Sequence, residues 1–174
     1  SADVVMNDLM LNGGTLTIDA GRTLTINGIL GLNGGIINGD GTLIITNCQQ
    51  EGIMGGSSTS YIQTALIRCV APGETFNFDV GTANGYAPIT IKDVVGTGNI
   101  LVKANQGAYS GPAMYLPANR LGRWWQIENP GGGVTNSEVI FNYLQGDIVG
   151  NEASYRAYRI SGGSASVFNT TANT

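Results

Sequence analysis

The chain contains 174 residues with a formal net charge of −4; 42% of the residues are hydrophobic and only 11% are charged. Its eight Lys and Arg residues are scattered, so we expect no basic surface of the kind that binds nucleic acid. Histidine is absent, which excludes His-based general bases and His metal ligands, and no apolar run approaches the roughly 18 residues of a membrane-spanning helix.

Residues 1–48 contain a short internal repeat. Residues 15–18, 23–26 and 42–46 read TLTI, TLTI and TLIIT, an alternation that predicts short strands with one buried face. Asn-Gly and Asp-Gly pairs separate these units, and such pairs accept the positive φ of a tight corner. Because the units are very short and closely spaced, we predict a short N-terminal β-solenoid, with a stack of hairpins as the alternative.

Beyond this repeat the pattern changes. Residues 49–61 are polar and rich in Gly and Ser, which predicts a loop or linker. Strand patterns separated by turn signals then favour an antiparallel β-sandwich. The predicted strands cover residues 62–70, 75–80, 87–91, 99–103, 123–127, 138–143 and 154–160. We therefore predict an all-β protein without a significant helix, with a solenoid region and linker at 1–61 and a β-sandwich domain at 62–174.

The chain has two cysteines, Cys48 and Cys69. Their spacing is that of a single disulfide closing a loop of about twenty residues, a bond typical of extracellular proteins. The alternative is a pair of separate buried thiols, since free Cys is often a core residue.

Several segments carry a resemblance to a known class of proteins. Residues 9–18 read LMLNGGTLTI and residues 22–28 read RTLTING; FNFDVGT at 76–82 and GYAPITI at 85–91 follow, then RWWQI at 123–127 and GNEA at 150–153. This pattern resembles the short repeats, followed by a β-sandwich module, of large secreted surface proteins of gliding and biofilm-forming Bacteroidota-type bacteria. The resemblance implies an extracellular adhesive or structural role and carries no catalytic residues.

Few residues suggest chemistry. Asp40 lies in a Gly-rich corner that is similar to part of a calcium loop, but the further acidic ligands are missing, so an ordinary corner is favoured. We expect no metal, no cofactor and no enzymatic activity. Trp124, Trp125 and Tyr115 are a candidate aromatic platform for a glycan, with packing in the core or at a subunit interface as the alternatives.

Assembly is the function that the pattern favours. The terminal turn of a solenoid exposes unpaired backbone groups, which natural proteins cover, charge or pair. The sandwich modules that this chain resembles have at least one more strand after the segment 167–174. Without that strand an edge near residues 155–168 is open, and the apolar segment 4–11 of another copy is a candidate donor strand for it. The alternative is that further residues follow residue 174. The predicted interface residues are Val4, Val5, Met6, Leu9, Leu11, Tyr155, Tyr158 and Phe168.

We therefore predict a non-enzymatic structural or adhesive module at the cell surface or outside the cell. It is expected to form a homo-oligomer or a filament by strand or edge complementation, with surface glycans as further candidate partners. The alternative function is a carbohydrate-binding module that uses exposed aromatic residues.

Overall fold

The computed structural model describes residues 2–111 and 118–168. Within these ranges the regular elements are β-strands, apart from three short 3-10 turns at Gln50–Gly52, Gln145–Asp147 and Glu152–Ser154. The predicted all-β fold class without a significant helix is therefore confirmed. In the same ranges no helix has the length and apolar character needed to cross a membrane.

Nineteen strands are present in the described ranges. The first eight are β1 (Val4–Met6), β2 (Leu9–Thr17), β3 (Thr23–Ile26), β4 (Leu30–Asn38), β5 (Thr42–Ile45), β6 (Ile53–Met54), β7 (Ser60–Ile62) and β8 (Ala65–Val70). The others are β9 (Phe76–Phe78), β10 (Gly81–Thr82), β11 (Gly85–Tyr86), β12 (Ile89–Gly96), β13 (Gly98–Gln106), β14 (Arg120–Leu121), β15 (Arg123–Glu128), β16 (Val134–Phe141), β17 (Ile148–Val149), β18 (Tyr158–Ser161) and β19 (Ser164–Val167).

Strands β1 to β8 coil into a parallel β-solenoid of about three turns. One ladder runs β1-β3-β5-β8, and a second stacks β2 on β4, which β6 and β7 then continue. Val4, Leu24, Leu43 and Leu66 lie opposite one another along the first ladder, so successive turns span 20, 19 and 23 residues. The parallel pairing confirms the solenoid and excludes the hairpin stack, because hairpin strands are antiparallel.

Side-chain bonds between successive turns hold the corners. The Asn33 amide donates to Asn12 Oδ1 at 3.1 Å, and the Thr17 hydroxyl donates to Asn38 Oδ1 at 2.8 Å. Gly39 follows at φ 111°, where a Cβ would overlap the carbonyl oxygen of the residue stacked on it from the first turn. The Asn-Gly pairs therefore serve both the sharp corner and the close stacking of one turn on the next.

The third turn is wider than the second, and it corrects one prediction. Residues 49–61 are not only a loop, because β6 and β7 lie within or at the end of this segment and pair with β4. Ile53, Tyr61 and Ile62 are buried there. Strands of two or three residues are too short to show an alternating pattern, and the polar residues around them hide the apolar positions.

Antiparallel sheets continue from the last solenoid strand. β13 pairs antiparallel with β8, so the first ladder extends into a six-stranded sheet of order β1-β3-β5-β8-β13-β15. A second, antiparallel sheet has the order β16-β12-β9. Phe76 and Phe78 are buried on β9 while Asn77 between them is exposed, which is the alternation expected of a half-buried strand.

One hydrophobic core serves the solenoid and these sheets. It includes Leu24, Ile45 and Ile62 from the solenoid together with Phe78 and Val102 from the antiparallel strands. Residue 61, the predicted domain boundary, lies within β7 and beside this core, so it does not coincide with a gap in the packing.

The chain divides into two compact units, residues 1–105 with 125–143, and residues 106–124 with 144–174. Within the second unit β14 pairs with β17, and β18 pairs with β19. The strand predicted at 154–160 is wrong in its first half, because Glu152–Ser154 forms a 3-10 turn and the strand begins at Tyr158. The Asn151 side chain accepts from the backbone N–H of Ala153 and stabilises that turn instead.

Candidate functional site

The first turn of the solenoid is the end of both parallel ladders. In the part of the chain that the structure describes, β1 pairs only with β3, and β2 only with β4. Val4 and Val5 are exposed, Val5 to 67%, whereas Met6 and Leu9 are half-buried and Leu11 is buried. Of the predicted interface residues in this region, four are therefore accessible along an edge with free backbone groups, and Leu11 belongs to the core.

A cavity of about 290 Å³ opens at this end of the solenoid. Its apolar wall includes Val4, Met6, Leu9, Leu16 and Leu24. These side chains are the inward-facing residues of the first turn and its neighbour, and no further turn covers them in residues 2–111 and 118–168. The volume lies at the lower limit of small-molecule pockets, so it suits a few apolar side chains better than a large ligand.

Two carboxylates flank β1. Asp3 Oδ1 accepts a hydrogen bond from the backbone N–H of Thr23 at 2.9 Å, and Asp8 Oδ1 accepts one from Ile29 at 2.7 Å. Each carboxylate thus accepts, from a backbone N–H of the second turn, a hydrogen bond of the kind that a ladder carbonyl accepts elsewhere. The result is a short apolar edge strand with a negative charge near each end, which the sequence analysis did not predict.

The predicted interface residues near the C-terminus differ in their roles. The Tyr155 hydroxyl donates to the Arg120 carbonyl at 2.6 Å and accepts from the Val149 N–H at 3.0 Å. Tyr155 therefore stabilises the pairing of β14 with β17 inside the second unit. Tyr158 and Phe168, in contrast, are exposed on and after the β18–β19 hairpin. Only the latter two are available to another molecule.

Trp125 is a packing residue. Its indole N–H donates to the Ala87 carbonyl at 3.1 Å, and its ring lies 5.1 Å from that of Phe141 and against the core. A half-buried indole that packs against the core with its N–H satisfied is typical of a structural tryptophan.

Trp124 has other neighbours, as the alternation of a strand requires. Its ring meets that of Tyr109 edge to face, with centroids 5.1 Å apart, and it is half-buried. Tyr115 lies outside the described residues. The structure therefore does not bring the two tryptophans together on one platform, and Trp124 with Tyr109 is the remaining aromatic pair for a ligand.

Cys48 and Cys69 form a disulfide with their Cα atoms 4.5 Å apart. The bond joins the corner after β5 to the end of β8, and it closes the segment that makes the third turn wide.

A buried arginine holds the same segment. The Arg68 guanidinium donates to the carbonyls of Asn77 at 2.6 Å, Gln49 at 3.1 Å and Gln50, and it lies 5.0 Å from the Phe76 ring centre. Burial lowers the pKa of Arg68 to about 10, against the opposing effect of nearby carboxylates. The widened corner is therefore fixed in two ways. The disulfide ties it to β8, and the Arg68 guanidinium supplies its backbone carbonyls with the hydrogen bonds that water would otherwise donate.

Asp79 is the second buried charged group of the first unit. Burial raises the pKa of this carboxyl, although the Tyr86 hydroxyl donates to it at 2.5 Å and the Arg68 charge also favours its ionised form. Burial and the bond to Asp79 together raise the pKa of Tyr86. Asp79 is buried, and its carboxylate is held by Tyr86 of the same unit, so we assign the pair to packing.

The second unit has its own ion pair. Arg123 Nε donates to Asp147 Oδ2 at 2.7 Å, and both side chains are almost fully buried. Burial alone would raise the pKa of Asp147, but hydrogen bonds from Gln106 and Arg123 outweigh it and hold the pKa below its ordinary value. This pair positions the turn before β17.

In residues 2–111 and 118–168 no three His, Cys, Asp or Glu side chains cluster closely enough to hold a metal ion. Two features that are open to a partner are the acidic, apolar edge of the first turn and the exposed β18–β19 hairpin, beside the aromatic pair Trp124 and Tyr109. Comparisons with protein-family models, with curated proteins and with solved structures find no match to this chain.

Proposed function

We propose that the protein is a non-enzymatic structural subunit of a filament at the cell surface or outside the cell, assembled by edge complementation between copies. The observation that carries this proposal is the first turn of the solenoid, where a strand edge without a pairing partner among the described residues adjoins an open apolar cavity. Natural sheets cover, shorten or charge such edges, and a second chain is one way to cover them.

Three further features support this role. Most of the buried charged groups serve corners and turns. The disulfide fits an oxidising compartment, where such bonds persist. The resemblance to secreted surface proteins also implies an adhesive or structural role.

The mode of assembly differs from simple donor-strand exchange. Residues 4–6 and 9–11, the candidate donor, already pair with β3 and β4 of their own chain. Releasing them would expose the apolar side chains of the second turn, at a cost of roughly 25 cal/mol per Å² of apolar surface. We therefore propose that the edge accepts a strand rather than supplies one.

The test is concentration-dependent self-association, measured by analytical ultracentrifugation and negative-stain microscopy. Val5→Lys places a charge at the edge and should weaken association, since Lys on an edge strand opposes pairing. Val95→Lys is the matched control, because Val95 is 51% exposed on β12, away from the first turn. A wild-type protein that stays monomeric at every concentration would refute the proposal.

A second candidate function is carbohydrate binding, favoured by the half-buried Trp124 ring that Tyr109 holds edge to face. Aromatic faces of this kind stack on apolar ligand surfaces. A glycan array on wild type and Trp124→Ala tests it; binding that is absent, or unchanged in the variant, would contradict it.

A further inference from the structure

Among the described residues, β18 and β19 form a two-stranded hairpin. A two-residue turn joins the strands, and both of its glycines have positive φ, 56° at Gly162 and 77° at Gly163. Such a turn matches the twist of the flanking strands. Isolated two-stranded hairpins are only marginally stable in water, so a third strand would stabilise this one.

One face of the hairpin is apolar and accessible. Tyr158 lies opposite Val167, and Ile160 lies opposite Ala165, so all four side chains share one face. Tyr158 is 48% exposed and Val167 is 59% exposed. These are large apolar groups in contact with water in the part of the chain that the structure describes.

The hairpin and the first turn carry opposite charges. Residues 155–168 contain Arg156 and Arg159 and no acidic residue, and both arginines are exposed. Residues 2–22 contain three aspartates and one arginine, and the carboxylates of Asp3 and Asp8 flank the exposed edge strand. Opposite charges on two surfaces favour and orient their encounter.

We infer that the β18–β19 hairpin of one copy adds to the free edge of β1 in the next copy, with β18 antiparallel to β1. The inference deepens the proposed filament function and rests on it. Because the contact joins two different surfaces of the chain, it is heterologous, and in an open chain of copies each added copy leaves a further edge for the next.

One register satisfies both the apolar and the charged groups. With Arg159 opposite Val5, Ile160 lies opposite Val4 and Tyr158 lies opposite Met6. Val4 and Met6 line the cavity, so the apolar face of the hairpin covers it.

The same register places the arginines of the hairpin near the aspartates of the first turn. Arg159 is then diagonal to Asp3 across the strand pair, and Arg156, two residues before β18, lies at the same end of the pair as Asp8, two residues after β1. Side chains that are opposite or diagonal across two strands are within reach of each other. The hairpin thus brings a strand to the open edge of β1, an apolar face to the cavity, and two arginines to the carboxylates of Asp3 and Asp8.

The first test reverses the charge of the hairpin. The variant Arg156→Glu/Arg159→Glu should weaken self-association about tenfold, because two ion pairs are lost and replaced by repulsion. The control Lys92→Glu/Lys103→Glu makes the same change in net charge outside both surfaces. It also removes the exposed Lys92–Glu138 ion pair at 3.1 Å, so its fold is checked by circular dichroism, and it should associate as the wild type does. Equal association constants for the two variants would overturn the inference.

A second variant addresses the acidic edge. Asp3→Asn/Asp8→Asn keeps an oxygen to accept from the N–H groups of Thr23 and Ile29, so the first turn should stay folded while its charge is lost. We expect association to weaken several-fold, and its salt dependence to be smaller than in the wild type. Unchanged association and salt dependence would contradict the inference.

The contact itself is tested by photo-crosslinking. Benzoylphenylalanine at Tyr158, in a mixture of isotope-labelled and unlabelled copies, should crosslink to residues 2–11 of a different copy. Crosslinks that form only elsewhere overturn the inference but leave the filament function intact, provided that the protein associates. A wild-type protein that does not associate overturns the proposed function as well.

Discussion

Replacement of Arg68 by alanine should destabilise the protein severely. The guanidinium donates to three backbone carbonyls, stacks near Phe76 and is fully buried. Truncation leaves these carbonyls without their donor and opens a cavity in the core. A buried acceptor left without its donor costs about 1–3 kcal/mol, so with three carbonyls affected we expect a total loss of about 3–5 kcal/mol.

This cost fixes the size of the expected thermal shift. For a domain of this length each kcal/mol changes Tm by roughly 2–4 °C, so the variant should melt about 6–20 °C below the wild type. Circular dichroism at 218 nm under thermal and urea denaturation gives both Tm and the free energy of unfolding. Arg22→Ala is the control, because Arg22 is exposed and its loss should change stability by less than about 0.5 kcal/mol.

One result would refute the reasoning. If Arg68→Ala lost less than about 1 kcal/mol with an unchanged denaturant slope, the three carbonyls would be solvated as readily as they are bound. The widened corner would then depend on the disulfide alone.

Three further predictions concern the disulfide, the tryptophans and the buried ion pair. Cys48→Ala/Cys69→Ala opens a loop with a sequence separation of 21, and should lower the free energy of unfolding by about 3 kcal/mol in urea titrations; a variant as stable as the wild type would contradict this. Trp125→Ala should cost about 3–5 kcal/mol and Trp124→Ala clearly less, since only Trp125 packs against the core; equal losses would contradict the assignment. The depressed pKa of Asp147 contributes stability above the ordinary Asp pKa of 3.8, which is lost as the pH falls through the folded-state value. Asp147→Asn should therefore reduce the fall in the free energy of unfolding as the pH is lowered below 3.8. An unchanged fall would show that this carboxyl does not cause it.

Local alternation is enough to predict the strands of the solenoid and the face that each of them buries. TLTI at 23–26 places Leu24 and Ile26 inside and the threonines outside, as observed. What the alternation does not contain is strand direction, because parallel and antiparallel strands bury the same face. The choice between coil and hairpins therefore depended on spacing, and the register of β3 on β5 settles it.

The charged groups of the interior were not predicted, for a physical reason. Arg68 interrupts the apolar run of β8, and this interruption is the one sign in the sequence of a buried charged group there. Its partners are backbone carbonyls of Gln49, Gln50 and Asn77, and a backbone acceptor leaves no trace in residue type. Asp3 and Asp8 were equally hidden, because they bind backbone N–H groups of the second turn.

The in-register stacking of the second turn on the third has a consequence for length. Residues 23–41 form one complete circuit, after which Thr42 lies in register with Thr23. Neighbouring turns contact it through ladder bonds, stacked side chains and the carboxylates of Asp3 and Asp8. A duplicate of this segment can therefore be spliced in without altering either end of the molecule, and each duplicate lengthens the solenoid by one strand spacing of about 4.8 Å. The number of such circuits therefore sets the length of the solenoid, while the first turn and the strands that follow β8 keep their sequence.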